Sequence, residues 1–172
     1  MTAFFPPPLL KEAHKLITLY QQKGWHLAVA ESCTGGLVSG LLTSIPGASH
    51  VFEGGFITYT DSTKEALLGL SNTLLETHGA VSEPVAKAMA SATLERLPAA
   101  HITLSVTGLA GPEGDSFGTP VGTVWFGCAL REGTVHTTCR VFAYRSRDGV
   151  RYACLEEALQ ILLRTEEQGF TA

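Results

Sequence analysis

The chain has 172 residues, of which 45% are apolar and 16% are charged. This composition excludes a disordered chain and predicts one globular domain over residues 1–172, which buries roughly 70% of its unfolded surface. The formal net charge of −4 argues against a nucleic-acid partner, which would favour a basic face. We expect frayed ends at residues 1–8 and 165–172.

The cellular setting is predicted from the cysteines and the apolar runs. The four cysteines form no C-x-x-C pair; they are Cys33, Cys128, Cys139 and Cys154. Three prolines, at 6–8, interrupt the N-terminus before an apolar leader could form. Because no apolar stretch approaches the roughly 20 residues of a membrane helix, we expect a cytoplasmic protein without a membrane partner.

Apolar periodicity and turn residues give the elements in chain order. Helices are predicted over 9–24, 37–43, 61–68, 71–79, 82–97 and from 146 to about 164. Strands are predicted over 25–30, 51–59, 101–107, 121–130 and 134–142, the last two as a hairpin. Asp61 and Ser146 are expected to cap the helices that they precede.

This alternation predicts an α/β fold: a three-layer α/β/α sandwich with a mostly parallel mixed sheet. Ligands of such folds bind at the carboxyl ends of the strands. Three segments of this chain fall there: 32–36, 59–64 and 107–114. We therefore expect them to converge on one site.

The first segment carries a candidate nucleophile, Ser32, at a strand-to-helix turn that continues into Gly35 and Gly36. Free N–H groups at a helix start can hold a phosphate or an oxyanion, and we expect those from Thr34 to Gly36, or that of Gly108, to do so. The alternative is a tight turn in which Ser32 or Thr34 only caps the helix. Cys33 is a second candidate nucleophile, or else a small buried residue.

The second segment carries a candidate base. Lys64 lies in the first helical turn after a strand that ends at Tyr59. To act as a base at neutral pH, a lysine must lose about three pKa units from its usual value near ~10.4, and burial and a helix N-terminus both act in that direction. Lys64 is thus a candidate base for Ser32, and Tyr59 a hydrogen-bonding relay. The alternative is a solvated surface lysine.

The third segment, 107–114, is a glycine-rich loop that lets a ligand approach the backbone. It matches neither a dinucleotide-binding fingerprint nor a P-loop, and it could instead be a plain surface loop. The six histidines have no metal-ligand spacing. The sequence therefore predicts neither a metal site nor an organic cofactor.

Together these pieces resemble the CinA C-terminal-domain family, the nicotinamide-nucleotide amidases. The matching segments follow in the family's order and cover nearly the whole chain: Ala30 to Gly36, Ile45 to Ser49, Tyr59-x-Asp61-x-x-Lys64 with Leu67-Leu68-Gly69, His78 to Ser82, Val106 to Pro112, Pro120 to Val124, and Arg147-x-x-x-Arg151.

The resemblance implies a single-domain amidase that converts nicotinamide mononucleotide to nicotinate mononucleotide and ammonia. It implies Ser32 as nucleophile, Lys64 as base and Tyr59 nearby, and it suggests a homodimer or a higher homo-oligomer. We assign binding of the nucleotide substrate to residues around the nucleophile, to the glycine-rich loop and to two arginines: Cys33, Thr34, Gly35, Gly36, Thr107, Gly108, Ala110, Gly111, Arg145 and Arg147.

The chain departs from the family pattern near the expected phosphate loop. Asp115 replaces a usual glycine, and Thr119 replaces a usual lysine. A gained carboxylate and a lost cation both make a loop less favourable for a phosphate. The turn at 144–146 also differs, so Arg145 either compensates for the missing lysine or faces solvent. The alternatives are a non-catalytic nucleotide-binding or regulatory domain, or an amidase for a different carboxamide.

Overall fold

The structure is a computed structural model that describes residues 4–143 and 145–168. Tyr144, in the turn at 144–146 that differs from the family pattern, lies outside the described residues. The α-helices are α1 (Pro7–Lys23), α2 (Leu37–Thr43), α3 (Asp61–Thr63), α4 (Asn72–His78), α5 (Glu83–Arg96) and α6 (Arg147–Gln168). A 3₁₀ helix spans Ala48–His50, and a π-helix over Lys64–Leu68 continues α3. The strands are β1 (Leu27–Glu31), β2 (Phe52–Ile57), β3 (Ile102–Gly108), β4 (Thr123–Leu130) and β5 (Val135–Val141).

The five strands form one sheet in the order β2-β1-β3-β4-β5. Strand β1 pairs in parallel with both β2 and β3, whereas β4 runs antiparallel to its neighbours β3 and β5. Four strands therefore point one way and β4 points the other. The predicted α/β fold with a mostly parallel mixed sheet is confirmed.

Helices α1, α2 and α6 cover one face of the sheet with a continuous apolar core. This core joins aliphatic and aromatic residues of the strands to those of the helices, among them Leu27, Val29, Leu104, Val106, Val124 and Phe126 with Leu16, Ile17, Leu41, Leu155 and Leu159. The apolar face of α6 is buried in this core: Val150, Cys154, Ala158, Ile161 and Leu162. Among the described helices, none combines the length and apolar character that crossing a membrane requires.

Small and hydroxylated residues form the opposite face, where α5 packs closely. Thr103 Oγ1 donates to the carbonyl of Ala90 at 2.8 Å, and Ser105 Oγ donates to that of Ala86 at 2.6 Å. A Cβ atom on Gly127 would lie 2.4 Å from the Ala86 oxygen. These two hydrogen bonds join the backbone of α5 directly to strand β3.

Two local expectations are corrected. Residues 4–8, expected to be frayed, enter the fold: the Phe5 side chain is buried in the core, and α1 begins at Pro7. Asp61 does not cap its helix, because the N-cap is Thr60. Thr60 and Thr63 form a capping box, in which the side-chain oxygen of each accepts the backbone N–H of the other. Residues 165–168, also expected to be frayed, continue α6 to Gln168, and residues 1–3 and 169–172 lie outside the described residues. Ser146 accepts a bond from the Gly149 N–H, as expected of its cap.

Candidate active site

Ser32 lies at the topological switch point of the sheet. It follows β1, and its N–H donates to the Val106 carbonyl of the adjacent strand β3 at 2.9 Å. The chain leaves β1 towards α2 on one face and enters β3 from α5 on the other, so a crevice opens between the carboxyl ends of these strands. Thr107 and Gly108 end β3 beside Ser32 and line the same crevice.

Lys64 faces Ser32 from the segment after β2. Its Nζ lies 3.5 Å from the Ser32 Oγ, and the side chain is only 1% exposed. Desolvation by burial lowers the pKa of Lys64, while Asp61, whose Oδ1 lies 3.6 Å from the Nζ, partly opposes this shift. The surface-lysine alternative is therefore wrong. A buried amine with a depressed pKa is suited to accept the proton of a serine hydroxyl.

The crevice is a cavity of about 550 Å³. All three predicted segments contribute to its lining: Ser32 and Cys33; Tyr59, Asp61 and Lys64; and Thr107 to Glu113 with Asp115, Ser116 and Phe117, together with Ala80, Val81 and Arg147. The volume lies within the range of small-molecule sites. The predicted convergence of the segments is thus present in the structure.

Arg147 links three sides of the cavity mouth. Its Nη2 donates to the Tyr59 hydroxyl at 2.7 Å, and its Nη1 donates to the Gly111 carbonyl at 2.8 Å. Within the described residues, the Tyr59 hydroxyl has no bond to Ser32 or Lys64. Tyr59 therefore lies at the rim as a partner of Arg147, and its relay role stays a prediction.

The start of α2 is occupied by a carboxylate from its own chain. Glu31 is fully buried and accepts the N–H groups of Gly36, Val38 and Ser39 at 2.8 to 3.1 Å. The Gly35 N–H donates to the Ser32 carbonyl at 3.0 Å. The expectation that the N–H groups of Gly35 and Gly36 hold an oxyanion is therefore wrong, and so is the alternative that Ser32 or Thr34 caps this helix.

The remaining predicted binding residues divide between the cavity and its surroundings. Cys33, Thr107, Gly108, Ala110 and Gly111 line the cavity, and their binding of substrate stays a prediction. Thr34, Gly35, Gly36 and Arg145 are not among the described lining residues. The guanidinium of Arg145 lies 6.0 Å from the centroid of the Phe142 ring instead.

Asp115 has a structural task in the loop. Its Oδ1 accepts the N–H groups of Phe117 and Thr119 at 3.0 and 2.9 Å. Desolvation raises the pKa of Asp115, but the bonds from Thr119 and Phe117 outweigh it and hold the pKa below its usual value. The carboxylate that departs from the family pattern thus closes a turn and also lines the cavity.

Cys33 lies beside the buried thiol of Cys154. A hydrogen bond from Cys154 lowers the pKa of Cys33 and raises that of Cys154. Both cysteines are free, and Cys33 is 5% exposed. Cys33 is therefore a small buried residue, as one of the two interpretations of the sequence held, and its role as a nucleophile stays a prediction.

Sequence reasoning gave no role to Glu31 or Arg151. The available signal for Glu31 was an acidic residue at the end of an apolar strand and shortly before a helix start, where the helix dipole favours a carboxylate. Arg151 donates from α6 to the carbonyls of Cys33 and Thr34, both at 3.2 Å. Its spacing of four from Arg147 puts both arginines on one helix face.

Comparison with known proteins identifies the family. A family model described as the CinA C-terminal domain matches residues 10–165. The chain belongs to this family. It is 46% identical over 142 residues to the nicotinamide-nucleotide amidohydrolase PncC of Enterobacter agglomerans, covering 83% of this chain and 85% of that protein.

Other CinA-family relatives are longer. The chain is 45% identical to a CinA-like protein of Akkermansia muciniphila but spans only 34% of its length. Among solved structures, the competence/damage inducible protein CihA of Agrobacterium tumefaciens superposes with a TM-score of 0.91 at 38% identity, covering 97% of this chain and 100% of that chain. A CinA superfamily protein of Escherichia coli gives 0.87 at 32% identity, with 95% of each chain covered.

Proposed function

We propose that the protein is an amidohydrolase that converts nicotinamide mononucleotide to nicotinate mononucleotide and ammonia. The observation that carries the proposal is the buried Lys64 amine 3.5 Å from the Ser32 hydroxyl, at the wall of a cavity sized for a small ligand. The 46% identity to a nicotinamide-nucleotide amidohydrolase supports the choice of substrate.

The acylation step uses the depressed pKa of Lys64. The neutral amine accepts the proton of Ser32 as the Oγ attacks the carboxamide carbon, which gives a tetrahedral oxyanion. Lys64 then passes that proton to the leaving nitrogen. Ammonia departs, and the acyl group remains as an ester on Ser32.

Deacylation reverses the roles. Lys64 removes a proton from a water molecule, which attacks the ester carbon. The C–O bond to Ser32 breaks, and Lys64 returns its proton to the serine Oγ. The carboxylic acid then releases its own proton to solvent and leaves as the anion. Both half-reactions use the Ser32 hydroxyl and the Lys64 amine, and the second also uses a water molecule.

The oxyanion has two remaining candidate donors in the nucleophile turn. No oxygen of the described residues accepts the backbone N–H of Cys33 or of Thr34. The Cys33 N–H contacts only the thiol of its own side chain. The backbone N–H groups of Ser32, Gly35 and Gly36 already donate to other acceptors. We therefore assign binding of the oxyanion to the N–H groups of Cys33 and Thr34.

Arg147 is the proposed contact for the substrate phosphate. Lys64 and Arg147 are the cations among the described residues that line the cavity, and Lys64 must be neutral to act as base. A guanidinium can grip a phosphate with two parallel N–H bonds. Binding would redirect its bonds from Tyr59 and Gly111.

A second candidate function rests on the acidic lining. Asp61, Glu113 and Asp115 line the cavity, so the side chains around the proposed phosphate contact carry more negative than positive charge. That balance favours a carboxamide without a phosphate. The other alternative, a domain that binds a nucleotide without turnover, stays a prediction.

One assay separates these functions. The purified protein is incubated with nicotinamide mononucleotide, nicotinamide riboside and nicotinamide, and both ammonia and the acid product are measured, with Ser32→Ala as the blank. Release from the mononucleotide with the highest kcat/KM supports the proposal. Release only from a substrate without phosphate supports the different-carboxamide alternative, and calorimetric binding without release supports the non-catalytic domain.

We further propose that the protein works in the cytoplasm as a homodimer or higher homo-oligomer, without a nucleic-acid or membrane partner. Four free cysteines fit a reducing compartment, and the formal charge of −4 disfavours nucleic acid. Size-exclusion chromatography with light scattering tests the oligomeric state.

A further inference from the structure

The backbone turn that carries the nucleophile has little intrinsic stiffness. Gly35 and Gly36 have φ values of 59° and 95°, in the left-handed region that glycine enters freely. A catalytic serine must be held within a fraction of an ångström of its reacting position, because a displacement of about 1 Å can cost roughly a hundredfold in rate. Other residues must therefore hold this turn.

Glu31 binds backbone N–H groups at the end of this turn and at the start of α2. Oε2 accepts Gly36 N–H at 3.0 Å and Val38 N–H at 3.1 Å, and Oε1 accepts both the N–H and the hydroxyl of Ser39, at 2.8 and 2.7 Å. A fully buried carboxylate at a helix start is stabilised by these bonds and by the helix dipole. Because Glu31 directly precedes Ser32, it fixes both ends of the turn against each other.

Arg151 holds the carbonyl side. Its Nε donates to the Cys33 carbonyl, and its Nη2 donates to that of Thr34, both at 3.2 Å across 117 or more positions of chain. A trans peptide is planar, so fixing a carbonyl also fixes the N–H of the next residue. Arg151 thereby orients the Thr34 N–H and the Gly35 N–H, of which the latter closes onto the Ser32 carbonyl.

We propose that Glu31 and Arg151 are positioning residues that clamp the Ser32–Gly36 turn from its two sides. This inference rests on the proposed function, since it assigns the turn a task in acyl transfer. Neither side chain is among the described residues that line the cavity. Loss of the clamp should therefore lower kcat and leave KM nearly unchanged.

Arg151→Met is the main test, with Arg131→Met as a matched control. Arg131 also binds backbone carbonyls through its guanidinium, those of Leu94, Leu97 and Ala100, but it lies beyond β4 at the other end of the sheet. We expect Arg151→Met to lower kcat at least about tenfold with KM for nicotinamide mononucleotide within about twofold. Arg131→Met should lower Tm but leave kcat within about twofold.

Rescue separates positioning from general destabilisation. Arg151 is partly exposed, with 28% of its side chain accessible, so a free guanidinium ion can reach the gap left by Arg151→Ala. Added methylguanidinium should recover part of the lost kcat in that variant, and Arg151→Lys should retain more activity than Arg151→Ala. The Glu31 half is tested with Ser39→Ala, which removes one of the four bonds to the carboxylate, and with Glu31→Gln.

Amide hydrogen exchange tests the clamp without reference to turnover. Exchange in residues 33–39 should rise in Arg151→Met and stay at the wild-type level in Arg131→Met. Unchanged exchange in Arg151→Met overturns the clamp, whether or not the protein is an amidase. Raised exchange with unchanged kcat overturns the role in the reaction, whereas absence of turnover in the wild-type protein rejects the proposed function and leaves the exchange result to decide the clamp.

Discussion

The Lys64 Nζ lies 3.5 Å from the Ser32 Oγ, although 32 positions separate the two residues in the chain. The pairing follows from the sheet, because Ser32 and the segment before Lys64 follow the adjacent parallel strands β1 and β2. The Thr58 N–H continues this pairing past β2 by donating to the Glu31 carbonyl at 2.8 Å. Because the carboxyl ends of β1 and β2 lie side by side, the Ser32 hydroxyl and the buried Lys64 amine come together.

The first prediction concerns the nucleophile. Ser32→Ala should lower kcat by about a thousandfold or more without changing Tm appreciably, since the variant removes only the Oγ. Cys33→Ala should cost far less, although its thiol lines the same cavity. Steady-state kinetics with melting curves of both variants provide the measurement. Loss of activity in Cys33→Ala alone would reverse the assignment.

The second prediction concerns the buried amine. Lys64→Met and Lys64→Arg should both be nearly inactive, because a thioether accepts no proton and a guanidinium stays charged. Substantial turnover by Lys64→Arg would instead mean that the residue only binds an anion.

Lys64 also has a stability signature. The pKa of Lys64 is lower in the folded state than its unfolded value near ~10.4. Between these two pKa values the unfolded chain binds the proton more strongly than the folded protein does. The contribution of Lys64 to the free energy of unfolding therefore rises with pH until the unfolded pKa is reached. Lys64→Met removes this penalty. Its Tm should exceed that of the wild type at neutral pH, and the difference should shrink as pH rises towards 10. A lower Tm at neutral pH would show that the amine stabilises the fold.

The third prediction uses the pH profile. Asp61 raises the pKa of Lys64 against the larger effect of desolvation. Asp61→Asn should therefore lower that pKa further and move the acidic limb of the kcat/KM profile to lower pH. Glu113→Gln is the control, because it removes another cavity carboxylate that does not shift Lys64. An acidic limb that stays in place in Asp61→Asn would mean that another group controls the rate.

The sequence allowed prediction of the parts of the site that depend on local pattern. Apolar periodicity and turn residues located the strands, and the carboxyl-end rule for parallel sheets then brought Ser32, Lys64 and Thr107 to one cavity. The burial of Lys64 was only one of two alternatives, since burial depends on what packs around a side chain and not on its neighbours in sequence.

Long-range hydrogen bonds could not be predicted. The contact between Arg147 and Tyr59 spans 88 positions, and no periodic pattern encodes it. The Gly36 N–H was expected to be free because the sequence does not reveal the direction of the Glu31 side chain. Once that carboxylate is buried under α2, it takes the donors that a ligand would have used.

The fourth prediction concerns Asp115, which combines a charge with a structural task. Its carboxylate lines the cavity, and the same Oδ1 accepts two backbone N–H groups of the loop. Asp115→Asn keeps an oxygen acceptor but removes the charge, whereas Asp115→Gly removes both. Because its pKa is held below the usual value, the charge is present throughout a neutral assay range.

If the loop faces the substrate phosphate, Asp115→Asn should lower KM for nicotinamide mononucleotide by roughly three- to tenfold, as one partly screened charge contact allows. The gain should decrease with added salt, and kcat should change less. Asp115→Gly should gain less or lose activity, because Phe117 and Thr119 lose the acceptor that holds their backbone in place. Nicotinamide riboside is the matched substrate, and its KM should not fall in Asp115→Asn because it has no phosphate to be repelled. An equal decrease in KM for both substrates would show that Asp115 restricts entry to the cavity without acting on the phosphate. An unchanged KM for nicotinamide mononucleotide at low salt would show that the phosphate does not bind near this loop.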